Sequence, residues 1–153
     1  MSTFRADWVL PICDEPIPNG WVAVSGNQIS GVGDGPVPDA TDLGRVAVLP
    51  TLVNAHTHLE LSYLHGRVPA GTSFTAWIQT LMALRRSYPQ PFDQEIVTAA
   101  RGAIAAARAA GTGLFGDVSN TFASVPLLRE SPVAAHVFSE LLGFNVEDPT
   151  GRV

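Results

Sequence analysis

The chain is poor in the residues that mark several protein classes. It has a single cysteine, Cys13, among 153 residues, so no disulfide can form within it. That fits a reducing compartment. Charged residues make up only 15%, and nine basic against fourteen acidic residues leave a net charge of −5. With no run of Lys or Arg, a nucleic-acid partner and an anionic membrane surface are excluded from the expectation. No apolar run approaches the ~20 residues needed to span a bilayer. Arg5 and Asp7 precede any apolar stretch, so the first residues lack the apolar core of a signal peptide. The expectation is a soluble, cytoplasmic protein.

What is present is a globular composition, 46% hydrophobic, with a change of character partway along. Residues 1–46 read as short strands and turns. Trp21-Val22-Ala23-Val24 and Gln28-Ile29-Ser30-Gly31-Val32 are β-rich, and Ser25-Gly26-Asn27 between them has hairpin-turn chemistry. Gly33 to Asp42 reads as a loop. Nothing in this part suggests chemistry.

From residue 47 to 153 the pattern is that of alternating strands and helices. Val46-Ala47-Val48-Leu49 and Leu52-Val53-Asn54-Ala55 are nearly continuous apolar runs separated by Pro50. A strand buried on both faces, beginning after the proline, is expected. Phe74, Trp77, Ile78, Leu81 and Leu84 or Met82 recur at helical spacing, with Thr72 or Ser73 as cap. A second helix is predicted over Asp93 to Ala110, with Asp93 as N-cap and Gly111 as the left-handed stop. Strands over Gly113–Val118 and Val133–Glu140 flank a short helix near Phe122–Glu130. This alternation predicts parallel βαβ units.

The residues with the clearest chemistry are His56 and His58. They sit two apart at the end of the first apolar strand. In extended backbone such positions project to one side. Two neutral imidazoles there suit one divalent ion, zinc or iron, although two polar loop residues would look the same. The carboxyl edge of a parallel sheet is where ligands bind. A catalytic zinc usually takes three protein ligands, so the pair is at most a half-site.

The wider run Leu49-Pro50-Thr51-Leu52-Val53-Asn54-Ala55-His56-Thr57-His58-Leu59-Glu60-Leu61-Ser62 resembles the first-strand motif of the amidohydrolase superfamily. It looks most like the branch of cytosine-deaminase-like, chlorohydrolase-like and aminofutalosine- or adenosine-type deaminases. Leu64-His65-Gly66, Gly71 to Trp77, Gly111 to Asp117 and Phe138 to Gly143 are similar to later segments of that branch. One position departs from it: the family usually has Gly where Thr51 stands. The family segment similar to Gly111–Asp117 usually reads GTTTVGD.

The resemblance implies an α/β fold: the first three β/α units of a (β/α)8 metal-dependent hydrolase barrel in 47–153, preceded by part of a small β-sandwich in 1–46. It implies a metal-dependent hydrolase acting on non-peptide carbon–nitrogen bonds, with one divalent metal ion, zinc before iron, held in part by His56 and His58. The reaction implied is deamination of an amino-substituted heterocycle or nucleoside. A dechlorinating or amide-cleaving relative, or a truncated chain with no activity of its own, are the alternatives. The remaining metal ligands and main acid–base residues are expected on later strands, beyond residue 153. A barrel typically needs ~250 residues, so a partial sequence is expected, with a homo-oligomer possible for the complete enzyme.

Other candidates are weaker. Glu60 is placed to hydrogen-bond a substrate amine, or is an ordinary loop acid. Trp77 either stacks on a heterocycle or fills a helix face. His65 faces a substrate pocket or solvent, and His136 reads as a sheet or core histidine. Asp117 and Glu140 fall at predicted strand ends, the catalytic edge of a barrel, where substrate contact competes with solvation or capping.

Overall fold

A computed structural model describes residues 1–70 and 73–141. The chain divides into two compact units at Pro50/Thr51. The expected boundary at 46/47 moves because Ala47 and Val48 pair with Trp8 and Val9, which fastens them to the first unit.

That first unit holds seven short strands. They are β1 (Ser2–Arg5), β2 (Trp8–Val9), β3 (Ile17–Pro18), β4 (Trp21–Ser25), β5 (Gln28–Gly33), β6 (Thr41–Asp42) and β7 (Ala47–Val48). One sheet has the order β5-β4-β1-β6 and another the order β3-β2-β7. The expected hairpin is β4–β5, antiparallel. It turns at Gly26, whose φ of +62° falls where a side chain is disfavoured. The stretch expected as loop from Gly33 to Asp42 ends in a strand, because Thr41 and Asp42 pair in parallel with Phe4 and Arg5.

The second unit is built on three parallel strands in the order β10-β9-β8. These are β8 (Leu52–Thr57), β9 (Thr112–Ser119) and β10 (Ala134–Ser139). A 3-10 turn, Leu59–Leu64, leaves the end of β8. Helices α1 (Phe74–Arg86) and α2 (Gln94–Ala109) join β8 to β9, and α3 (Val125–Arg129) joins β9 to β10. Ser73 caps α1 by accepting from the Ala76 N–H at 3.2 Å, while Thr72, Gly71, Leu142, Gly143 and Gly151-Arg152-Val153 lie outside the described residues. Asp93 caps α2 by accepting from Glu95 N–H at 2.9 Å, and Gly111 stops it at φ +96°.

One face of this sheet carries the core. Phe115 packs with Ala100 and Ile104 of α2, Leu127 and Leu128 of α3, and Leu59. The other face is open. In register, Val53, Leu114 and Ala134 lie side by side, then Gly116 beside His136 and Val118 beside Phe138. Val53 is 59% exposed and Phe138 47%. The expected burial of β8 on both faces is therefore corrected: Leu52, Val53 and Ala55 are exposed, because among the described residues nothing covers that side. His136 is likewise exposed on the open face, beside the Phe138 ring at 4.5 Å, rather than in a core.

Two glycines in β9 let β8 come close. A Cβ on Gly116 would overlap the Ala55 carbonyl. Opposite it, the β8–β9 register shifts between Asn54 and Thr57, an irregularity of the kind that re-aims a side chain. A Cβ on Gly113 would overlap the Thr51 side chain. Thr51 is not among the residues with positive φ, so it takes an ordinary backbone angle. The Thr51 side chain thus fills the small space that Gly113 leaves open.

Candidate functional site

His56 and His58 both come from the end of β8, and the structure brings them together. Their Nε2 atoms lie 3.3 Å apart and their ring centroids 5.3 Å apart. Two imidazole nitrogens each about 2.05 Å from a shared zinc would, at that separation, subtend about 107°, close to tetrahedral. The donor set therefore fits a divalent ion through Nε2 of both rings. Nδ1 of His58 is buried with no partner, a nitrogen of the kind that metal-site histidines usually donate to an acceptor. Among the described residues no cluster of three or more His, Cys, Asp or Glu is arranged to hold a metal. The pair stands as half of a site.

His58 opens onto a cavity of about 520 Å³, within the range of small-molecule sites. His65, Trp77, Arg85 and Glu140 line it, with Leu61, Leu64, Val68, Ile78, Leu81 and Met82 as its apolar wall. Three of the substrate-contact candidates, His65, Trp77 and Glu140, thus share one cavity with a metal-ligand candidate. Trp77 reaches it because α1 buries none of its residues fully, so its apolar side is free to form a wall. Glu140 is held there by Asn120, whose Nδ2 donates to the Glu140 carbonyl at 2.7 Å and to its Oε2 at 3.2 Å.

Glu60 behaves differently from its expected role. It is 3% exposed and its two oxygens are occupied by protein donors. Oε2 accepts from Ser119 Oγ at 2.6 Å, Thr121 Oγ1 at 2.5 Å and Thr121 N–H at 3.0 Å. Oε1 accepts from Asn120 N–H at 3.0 Å and from the Arg85 guanidinium at 3.2 Å. Burial by itself would raise its pKa, but the hydrogen bonds from Ser119, Thr121 and Asn120 outweigh it and hold the carboxyl below its ordinary range. A carboxylate so committed ties the 3-10 turn to the loop after β9 and leaves no oxygen for a substrate amine. Asp117 is also buried, at 0% exposure, with Leu59 N–H and Ser124 Oγ as its donors. It lies behind the site rather than in it, and takes the capping role that competed with substrate contact in its sequence reading.

The sequence reading missed Arg85, Ser119, Asn120 and Thr121. Arg85 is a basic residue in the last turn of α1, a position ordinarily solvated, yet its side chain is 19% exposed and paired with Glu60. The Ser-Asn-Thr run after β9 offered a signal: three consecutive short hydrogen-bonding residues at a strand end.

No protein-family model matches the chain. It is 34% identical over 96 residues to an adenosine deaminase of Helicobacter pylori, covering 63% of this chain and 22% of that protein. Its fold superimposes on the aminofutalosine deaminase of Helicobacter pylori in complex with methylthio-coformycin. There the TM-score is 0.80 at 29% identity, over 96% of this chain and 37% of the other. An atrazine chlorohydrolase from Arthrobacter aurescens, complexed with zinc, matches in fold at TM-score 0.73 and 16% identity, over 90% of this chain and 35% of the other. The mixed α/β fold matches the N-terminal part of amidohydrolase-superfamily deaminases and chlorohydrolases, the sequence matches the deaminases, and the chain spans between 22% and 37% of the length of these relatives.

Proposed function

We propose that this chain is the metal-facing N-terminal part of a cytoplasmic hydrolase that removes an amino group from an amino-substituted heterocycle or nucleoside. On this reading the first unit is part of a small β-sandwich. The second supplies the first three strands of a (β/α)8 barrel. The observation that carries the reading is the convergence of His56 and His58 Nε2 at 3.3 Å at the mouth of a cavity lined by His65, Trp77 and Glu140. The zinc named in the chlorohydrolase structure and the coformycin-type ligand named in the aminofutalosine deaminase structure support the metal and the substrate class.

A divalent ion in such a site, zinc before iron, makes water nucleophilic at neutral pH. His56 and His58 hold the ion through Nε2. Trp77 presents an aromatic wall on which a flat heterocycle stacks, and the apolar residues beside it exclude water from the ring. Glu140, steadied by Asn120, accepts a hydrogen bond from a substrate N–H or O–H. His65 contacts the part of the substrate that reaches the cavity rim. The main acid and base are supplied by strands that follow these three.

The test is metal uptake and ammonia release by the protein carrying this chain. Stoichiometric zinc that is lost in H56A and H58A, with ammonia released from aminopurine nucleosides, supports the reading. Turnover of a chlorinated triazine with no amine released moves the reaction to dechlorination. Absence of both metal and turnover overturns the enzyme reading.

A further inference from the structure

His58 is the last residue of β8's extension and the N-cap of the 3-10 turn, yet its own side chain makes no capping bond. The first N–H groups of a helical turn have no partner within it. Here the N–H of Leu59, the residue directly after His58, is taken by Asp117 Oδ1 at 2.8 Å. The cap comes from the neighbouring strand, 58 residues away in sequence. Asp117 is itself anchored, since its Oδ2 accepts from Ser124 Oγ at 2.5 Å, and it stands in register beside Thr57, between the two histidines.

We propose that Asp117 is a positioning residue that sets the convergence of His56 and His58. The argument is geometric. The bond from the Leu59 N–H to the Asp117 carboxyl is short, at 2.8 Å, and it fixes the peptide plane joining His58 to Leu59. That plane fixes the His58 backbone, and with it the direction of the Cα–Cβ bond that carries the imidazole. At 0% exposure, water cannot replace the carboxylate, so the constraint holds continuously. Asp117 acts from the helix-covered face of the sheet on ligands that project from the other side. Its link to metal affinity rests on the metal reading above.

The test uses the full chain with Co(II) as probe, in D117A, D117N and S124A, each checked for folding by circular dichroism. D117A is expected to weaken Co(II) binding at least tenfold, in line with the loss of outer partners at metal sites. It should also change the Co(II) d–d absorption. D117N retains an oxygen for Leu59 and an amide for Ser124 Oγ, so it should bind within about threefold of the parent. A folded D117A with parental affinity and spectrum overturns the proposal, since a residue that only stabilises the fold would move the melting temperature alone. If D117A does not fold, S124A decides on the same spectrum: a shifted d–d band supports the proposal and an unchanged one overturns it. If the parent chain takes up no Co(II), the metal reading falls. The positioning role is then read from the nuclear Overhauser contact between the His56 and His58 rings without metal. Loss of that contact in D117A, or in S124A, supports the role, and its retention overturns it.

Discussion

The two faces of the β8–β9–β10 sheet are made from the same strands and obey different rules. On the helix-covered face Phe115, Asp117 and Ser119 alternate along β9, all buried, and each polar group has a partner. On the opposite face Val53, Leu114 and Phe138 are exposed, and His56 and His136 stand among them. One face fixes geometry, and the other displays it. The polar groups of the covered face lie directly behind the displayed histidines, so order on one side sets placement on the other.

Removing the buried carboxylate of the 3-10 turn, to which Ser119 of the covered face donates, is expected to have the largest effect. E60A leaves Arg85, Ser119 and Thr121 without their acceptor, and breaking a buried pair of this kind costs about 3–5 kcal/mol. Denaturant unfolding measures it, and a loss under 1 kcal/mol would mean that water replaces the carboxylate. Next comes a contrast between neighbours. F115A should lose about 3–5 kcal/mol, while L114A, one residue earlier and 37% exposed, should lose under about 1 kcal/mol. Equal losses would abolish the distinction between the faces.

A smaller effect is expected where β8 and β9 touch edge-on. G113T alone overfills the space held by Thr51, costing about 1–3 kcal/mol. T51G combined with G113T should recover most of that loss, a coupling measured by a double-mutant cycle. Simple additivity would show that the two positions do not share the space. The smallest effect lies in the first unit. The Asp42 carboxyl is held below its ordinary range by the Arg5 side chain and the Gly44 N–H. A lowered folded-state pKa gives stability that is present above the unfolded pKa and is lost as pH falls through the folded one. The parent should therefore lose slightly more thermal stability than R5A between pH 7 and pH 3. The difference should shrink in high salt, because the pair is exposed.

Much of this organisation was legible in the sequence, for identifiable reasons. Helix α2 announced itself by Asp93, an apolar stripe and Gly111, all local signals. The histidine pair was legible because i and i+2 share a side in a strand. Strands β2, β3, β6 and β7 were not, since two residues carry no periodicity and their pairing partners lie far along the chain. Glu60 was misread, and the burial of Asp117 went unseen, because a polar residue near a loop is ordinarily solvated. Their burial depends on donors about 60 positions away, which no local pattern records. The exposure of β8 and His136 escaped for a related reason: apolar runs predict burial, and the open face depends on which elements lie opposite it.

Gly116 has a consequence for how such a site varies under mutation. The conflict at Gly113 is between two side chains, so either strand can give way, and the Thr can be carried by 51 or by 113. At Gly116 the obstacle is the main chain of Ala55 itself, which every amino acid shares. No substitution on β8 can make room there. A saturation library at 113, scored for folded protein, should therefore contain variants rescued by second changes at 51. The same library at 116 should yield none rescued at 55, leaving one hydrogen atom on β9 as the fixed point around which the rest of the strand end can drift.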